Sequence, residues 1–365
     1  MTAFSMVGLL TMSAAGCGNS PLPTHKRAIA LPLGWSAVAS PSVANARLVA
    51  VTCVSPTDCW AVGSTSNRKN NYATLVERWN GSAWSTVPAP SPSSGGRLVG
   101  VACVSASDCW AAGQHGKPIN STTLLERWNG SKWSIVPSPS PSSGGVLSRV
   151  TCVSASDCWA LGGTLMEQWN GTKWSIVPSP LPSGASVLSG LTCISASECW
   201  AVGYRIGYNA VIEQWNGSRW SAMSSSSPPS TNALFDVTCV STADCWAVGE
   251  TYISTNKYAT LTEQWDGSAW TVVSSPSPSS GSVLLRVTCV SATDCLAVGD
   301  NGSGNTISTA LIEQWNGNTW SVVLTPSLPA AGQLTAVTCV SPTDCWAVGD
   351  SGSSNNYTTL IEHGP

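Results

Sequence analysis

Cysteine has the most regular spacing of any reactive side chain in this chain. Seven pairs recur, each separated by five residues: Cys53 with Cys59, Cys103 with Cys109, Cys152 with Cys158, Cys193 with Cys199, Cys239 with Cys245, Cys289 with Cys295, and Cys339 with Cys345. On the two arms of a short hairpin, such a pair brings its Cα atoms within disulfide reach. Zinc is the rival chemistry. Each unit offers only two sulfurs, the whole chain has 3 His, and no C-x2-C spacing occurs, so disulfides are expected and no metal or other cofactor is. Bridges in this number imply an oxidising compartment outside the cytoplasm.

Other groups capable of chemistry fall on repeated positions. Glu77, Glu126, Glu167, Glu213, Glu263, Glu313 and Glu362 share one register. One such Glu in a cleft would be a general-acid candidate, but seven in register read as structural hydrogen-bond acceptors, with a Trp N–H as candidate partner. Asp58 and its six equivalents, one of them Glu198, read as turn residues. His25, His115 and His363 lie far apart, and neither a Ser/His/Asp set nor a Gly-rich phosphate loop is present. Catalysis therefore has little support.

These residues recur because a whole unit recurs. Successive copies of V-T-C-V-S-x-x-D-C-W-A-V-G start 50, 49, 41, 46, 50 and 50 residues apart, the period of a repeat architecture. The first copy predicts four strands: 48–55, 59–64, 74–79 and 84–87. Asn80-Gly81 between the last two predicts a type I′ hairpin turn. Four antiparallel strands per 41–50 residues is the signature of a propeller blade. The seventh copy stops after its third strand. Its missing fourth strand is found at the other end of the chain, where Gly34-Trp35-Ser-Ala-Val-Ala-Ser-Pro41 matches Trp320-Ser-Val-Val-Leu-Thr-Pro326. The expected fold is all-β, a seven-bladed β-propeller over residues 35–365, closed by the N-terminal strand completing the last blade.

With Asn-Gly-Ser-x-Trp turns on a seven-fold repeat, the chain resembles propellers of the broad Kelch, galactose-oxidase and BNR-repeat kind. The Asn-Gly-Ser-x-Trp piece is similar to the BNR Asp-box turn, and the Trp after the turn is similar to Kelch. The paired glycines of Kelch and the Ser-x-Asp-x-Gly order of the Asp-box are absent. A sialidase of this kind would need an arginine cluster around the axis, and only Arg149 and Arg286 qualify.

Residues 1–16 read as a secretory signal, because 4–15 is apolar, too short to span a membrane, and ends in small residues. Ala14-Ala15-Gly16-Cys17 resembles a bacterial lipobox, which implies lipidation of Cys17, the one cysteine without a repeat partner. Plain cleavage after Ala15 is the alternative. No Lys or Arg precedes the apolar run, which leaves the true start open. Residues 17–34 read as a tether.

In a ring of repeats, what recurs holds the blades and what differs can bind. Leu48 and its equivalents read as packing between blades. The 19 Trp read as core and not as an exposed sugar-binding set, since six follow the second cysteine, six precede the Asn/Asp-Gly turn and seven open a fourth strand. Two features vary. The segments between strands two and three carry all 6 tyrosines, Tyr72, Tyr204, Tyr208, Tyr252, Tyr258 and Tyr357, among Asn, Ser and Gly. That is the composition of an adaptable recognition surface. In the third copy this segment is gone, and Gly162-Gly163 turns directly into Thr164-Leu165. The other variable position is three before the first cysteine: Ala50, Gly100, Arg149, Gly190, Asp236, Arg286 and Ala336. Its charges either line the mouth of a central channel or form an Asp236–Arg286 ion pair between neighbouring blades.

With 10% charged residues and a net charge of -3, no basic stripe exists for a nucleic acid. The expectation is a monomeric binding or scaffold protein of the bacterial cell surface that takes a protein or glycan through one propeller face, with the membrane touched only by an N-terminal lipid. The alternative is a glycosidase or lyase with its site at the channel mouth.

Overall fold

The computed structural model describes residues 34–365 except 42, 68–70, 117–120, 142–143, 182–185, 208, 228–231, 256, 303–308, 324–331 and 354–355. The signal-like segment, Cys17, nearly all of the tether, and Tyr208 lie outside the described residues.

Seven four-stranded antiparallel sheets form a ring, six of them running in chain order from an inner to an outer strand, and the described residues contain no helix. Blade 1 comprises Ala46–Ser55, Asp58–Ser66, Tyr72–Trp79 and Trp84–Thr86. Blade 7 comprises Gly332–Ser341, Asp344–Ser353 and Asn356–Gly364, completed by Ser36–Ala37 from the start of the ring. The closing strand is antiparallel, with Ser36 opposite His363 and Ala37 opposite Glu362, and the Val38 amide donates to the Ile361 carbonyl at 2.9 Å. The expected closure is therefore present.

All seven cysteine pairs are disulfides, directly opposite one another on strands one and two, with Cα atoms 3.9–4.1 Å apart. Each turn between them is tied by a serine, as where Ser55 Oγ accepts from the Thr57 amide at 3.3 Å. The second hairpin differs from the type I′ expectation. Trp79 pairs with Trp84, which leaves a four-residue loop. Only Gly81 takes positive φ (90°), while Asn80 Oδ1 accepts from the Ser82 and Ala83 amides at 3.0 Å each. The Asn is chosen for its acceptor oxygen, as in an Asx turn.

Tryptophan joins one blade to the next. Trp60 of blade 1 lies 4.9 Å from Trp128 and 5.3 Å from Trp133 of blade 2, tilted and edge-on, an arrangement ring quadrupoles favour. The same triad recurs at five further seams, ending with Trp346 of blade 7 against Trp79 and Trp84 of blade 1. One seam departs from it. Leu296 replaces the blade 6 Trp, and Gly364 stands where blade 7 should carry its strand-three Trp. Trp35 fills that space, so closely that a Cβ on Gly364 would meet its ring at 2.5 Å. Both irregularities thus meet at the seam where the chain ends join. The Leu48 series packs between blades as expected, with Leu48 buried against Ala336, Trp346 and Val348 of blade 7.

The strand-three glutamates are wholly buried, but their partners are not Trp N–H groups. Glu77, Glu167, Glu213, Glu263 and Glu313 each take a hydroxyl from the segment after the previous blade's outer strand. Ser40 donates to Glu77 at 3.0 Å, Ser138 to Glu167 at 2.8 Å, Ser179 to Glu213 at 2.7 Å and Ser225 to Glu263 at 2.8 Å, and Ser275 donates to Glu313. The indole N–H groups of strand three go instead to turn carbonyls, as Trp79 does to Pro56 at 3.2 Å. In blade 1 the equivalent of the donor serine is Ala89, and both carboxyl oxygens of Glu126 in blade 2 are buried without a partner. Burial raises Glu77, Glu167, Glu213 and Glu313 to a pKa of about 7, against hydroxyls that lower it, and burial alone raises Glu126 to about 8.

The hairpin acids also do more than turn. Asp58 and Asp108 accept two bonds each from Arg78 and Arg127 on strand three, between 2.7 and 2.9 Å. His363 takes that role toward Asp344 at 2.9 Å.

Candidate functional site

In an antiparallel blade, the loops joining strands two and three lie at the same end as the connections from one blade to the next. The variable residues therefore collect on one face of the ring. They sit largely on strand ends rather than in loops. Tyr72 opens the third strand of blade 1, while Tyr204 and Tyr252 lie within second strands and Tyr258 and Tyr357 within third strands. The second hairpin arm runs further than hydrophobic patterning indicates, because residues such as Ser66, opposite Tyr72, and Ser351, opposite Thr358, extend the ladder with polar side chains.

Two of these tyrosines are covered by arginines from the following blade. The Arg97 guanidinium lies 3.2 Å over the Tyr72 ring and that of Arg47 lies 3.4 Å over Tyr357, cation–π contacts that hold both cations in place. Both pairs line a groove of about 410 Å³ across blades 7, 1 and 2, together with Asn45, Ser64 and Ser66. Arg47 is also 3.7 Å from Asp350, which in turn accepts from Gln333 at 3.1 Å. Among the described residues Arg97 has no carboxylate partner and no hydrogen-bond acceptor. Asn45, at φ 55°, is the one non-glycine described residue in the left-handed region, and its carbonyl takes the Ser66 amide at 3.0 Å, shaping the rim.

Blades 4 and 5 carry a second, more apolar cluster on this face. Tyr204 meets Phe235 edge-on at 6.0 Å and Tyr252 meets Tyr258 at 5.8 Å. At the tips beside them Ile206 and Ile253 are 74% and 60% exposed, the two most exposed large apolar side chains described. Glu250, next to Tyr252, is raised to about 7 by burial. In blade 3 the absent loop is a two-residue turn, with Gly162 opposite Leu165 and Gly163 at φ 64°. It leaves a notch of about 500 Å³ in the face, beside Gly144 and Gly145.

The inner-strand charges are arranged differently from the expected pair. Asp236 of blade 5 does not bridge to Arg286 of blade 6. Its Oδ1 is 3.5 Å from Nε of Arg149, two blades away, and its Oδ2 accepts the Val287 amide at 3.1 Å. Gly190 of the intervening blade 4 has no side chain to stand between them.

Arg47 and Arg97 escape a reading based on loop composition. The signal that finds them is register. Six residues before the first cysteine, the seven blades read Arg47, Arg97, Val146, Val187, Ala233, Val283 and Gln333, so a cation occurs in two adjoining blades alone. Among the described residues, no three His, Cys, Asp or Glu side chains converge as metal ligands. No helix among them is long and apolar enough to cross a membrane.

The molecule belongs structurally to the seven-bladed β-propellers. It is similar to YCF48 bound to a D1 peptide, at 15% identity over 91% of this chain and 97% of that one, with a TM-score of 0.60. It is similar to a GH74 xyloglucanase from Xanthomonas campestris, at 12% identity over 90% of this chain and 55% of that one, with a TM-score of 0.61. It is also similar to the extracellular domain of a one-component system from B. thetaiotaomicron, at 8% identity over 90% of this chain and 39% of that one, with a TM-score of 0.58. At these identities the likeness is one of fold. No family model and no curated protein matches the chain.

Proposed function

We propose that this chain is an extracytoplasmic binding protein that holds a protein or glycan on the loop-bearing face of its ring. The observation that carries the reading is Arg97, a cation fixed over Tyr72 in a groove, at a register where the repeat does not call for one, and with no carboxylate spent on it. A guanidinium stacked on a ring keeps its N–H edge available to a ligand and loses little side-chain freedom when it binds. The exposed Ile206 and Ile253, backed by Tyr204 and Tyr252, provide apolar contact on the same face. Seven disulfides support a location outside the cytoplasm. Cleavage before Cys17 and its lipidation would hold the protein at the bacterial surface, and the ring would work as a monomer.

The test is capture of ligands from a glycan array and from a displayed peptide library by the full chain. Arg97→Ala and the pair Tyr204→Ala, Tyr252→Ala should reduce that capture at least about tenfold while leaving thermal stability within a degree or two. Capture that survives all three substitutions overturns the face assignment. Hydrolysis of an arrayed glycan, lost in Arg149→Ala, would replace binding with carbohydrate-active catalysis.

A further inference from the structure

Three residues before the first cysteine, the inner strands carry charge on three blades, while the equivalent positions elsewhere are Ala or Gly. The arithmetic does not balance. Arg149 and Arg286 bring two permanent cations, and among the described residues Asp236 is the one carboxylate that faces them. Arginine is not deprotonated in proteins, so the surplus cannot be relieved by losing a proton.

Oδ2 of Asp236 accepts the Val287 amide at 3.1 Å, and Oδ1 lies at ion-pair distance, 3.5 Å, from Arg149 Nε, which is buried without a hydrogen bond. Arg149 also donates through Nη1 to the Ser148 carbonyl at 2.7 Å. Arg286 has only one neutral acceptor, the Leu285 carbonyl at 2.6 Å from Nη1, and no carboxylate within ion-pair distance among the described residues. Burial first, and the neighbouring Arg149 charge after it, disfavour the Arg286 cation against the attraction of Asp236. Arg149 and Asp236 are only 13% and 11% exposed at their side chains, so water screens this surplus weakly. Small residues flank the group. A Cβ on Gly100 would lie 3.1 Å from the Arg149 Cα, and one on Gly190 would lie 2.6 Å from the Asp236 Cα. Any larger residue at either position would push the charged strands apart.

We propose that the axis of the ring takes up a small oxyanion, of the carboxylate or sulfate class, between the guanidiniums of Arg149 and Arg286. A guanidinium offers paired N–H donors in the plane such a group needs, and an oxyanion between two of them supplies the missing negative charge. Asp236 is then a competitor as well as a partner, because it already occupies Arg149. This site is separate from the groove on the loop-bearing face and does not depend on it.

The experiment is thermal unfolding and isothermal titration of the full chain with sodium sulfate and, in a separate arm, sodium acetate, each against sodium chloride at matched ionic strength. A general salting effect of sulfate rises without saturating, whereas site binding saturates. The expected result is a saturable rise in melting temperature with at least one anion. Response to sulfate identifies a free inorganic ion, and response to acetate alone identifies a carboxylate carried by a larger ligand. Arg286→Gln should weaken that binding at least about tenfold. Asp236→Asn, which keeps an acceptor for the Val287 amide while removing the competing charge, should tighten it. The opposite signs keep the test decisive if one variant does not fold. Absence of saturable binding by either anion, or affinities that neither variant changes, would overturn the proposal.

Discussion

Ala89→Ser should stabilise the protein by supplying the latch that Glu126 lacks. Ser138 sits between Pro137 and Pro139 and donates to Glu167 at 2.8 Å, while Ala89 sits between Pro88 and Pro90 in the same register, opposite the unpartnered Glu126. A restored hydroxyl–carboxyl bond to a wholly buried group is worth on the order of 1 kcal/mol. Unfolding entropy grows with chain length, so for a ring of this size that is a rise of about 1–2 °C in melting temperature. Glu126 titrates at about 8 and its latched counterparts at about 7. Lowering Glu126 by that amount adds up to about 1.4 kcal/mol once the pH exceeds 8, so the gain should widen from pH 7 to pH 9. The assay is urea unfolding at pH 6, 7 and 9 of the parent, Ala89→Ser, Glu126→Gln and the double variant. A gain from Ala89→Ser that is as large in the Glu126→Gln background, or that shrinks as pH rises, would refute the latch.

The buried glutamates also set the sign of the pH dependence. Their folded pKa values of about 7 lie above the ordinary 4.5, so stability is fully present below pH 4.5 and is lost as pH rises through 7. The free energy of unfolding should fall from pH 5 to pH 7 with a slope of at least about 1.4 kcal/mol per unit, and a flat or rising profile would contradict the burial argument. Replacing Cys53 and Cys59 together by serine should cost about 2 kcal/mol by denaturant unfolding, the loop-closure value for so small a ring, and no loss would count against it. Gly364→Ala should destabilise the closing blade by about 1–3 kcal/mol, because its methyl would enter the Trp35 ring; unchanged stability would mean that seam is not closed as described.

The architecture is legible in the sequence because it is stated seven times. Cysteine, Leu48-type and Trp positions each recur, so chance matches cancel and four strands per copy stand out. The borrowed fourth strand is visible for the same reason, since Trp35 can be matched to Trp320. The latches are half legible. Seven glutamates in register announce a structural role, but their partners come from the preceding blade. Only the fold brings Ser138, 29 residues upstream, to Glu167. The binding face is the least legible part. Tyr72 draws attention as an aromatic in a variable segment, yet Arg97, which covers it, lies on the first strand of the next blade among residues that otherwise read as scaffold. The Asp236–Arg286 pairing fails because sequence neighbours suggest adjacent blades, while the absence of a side chain at Gly190 lets Arg149 reach Asp236 first. Repetition exposes the frame, and the departures from it matter only once their neighbours across seams are known.

The two-faced account depends on the ring being shut by its own first strand, and amide hydrogen exchange reads that directly. The Val38 amide, bonded to the Ile361 carbonyl at 2.9 Å, should exchange as slowly as amides of the buried second strands, such as that of Trp346. Exchange at the rate of an unstructured terminus, with blade 7 otherwise protected, would show the ring open and would contradict the account.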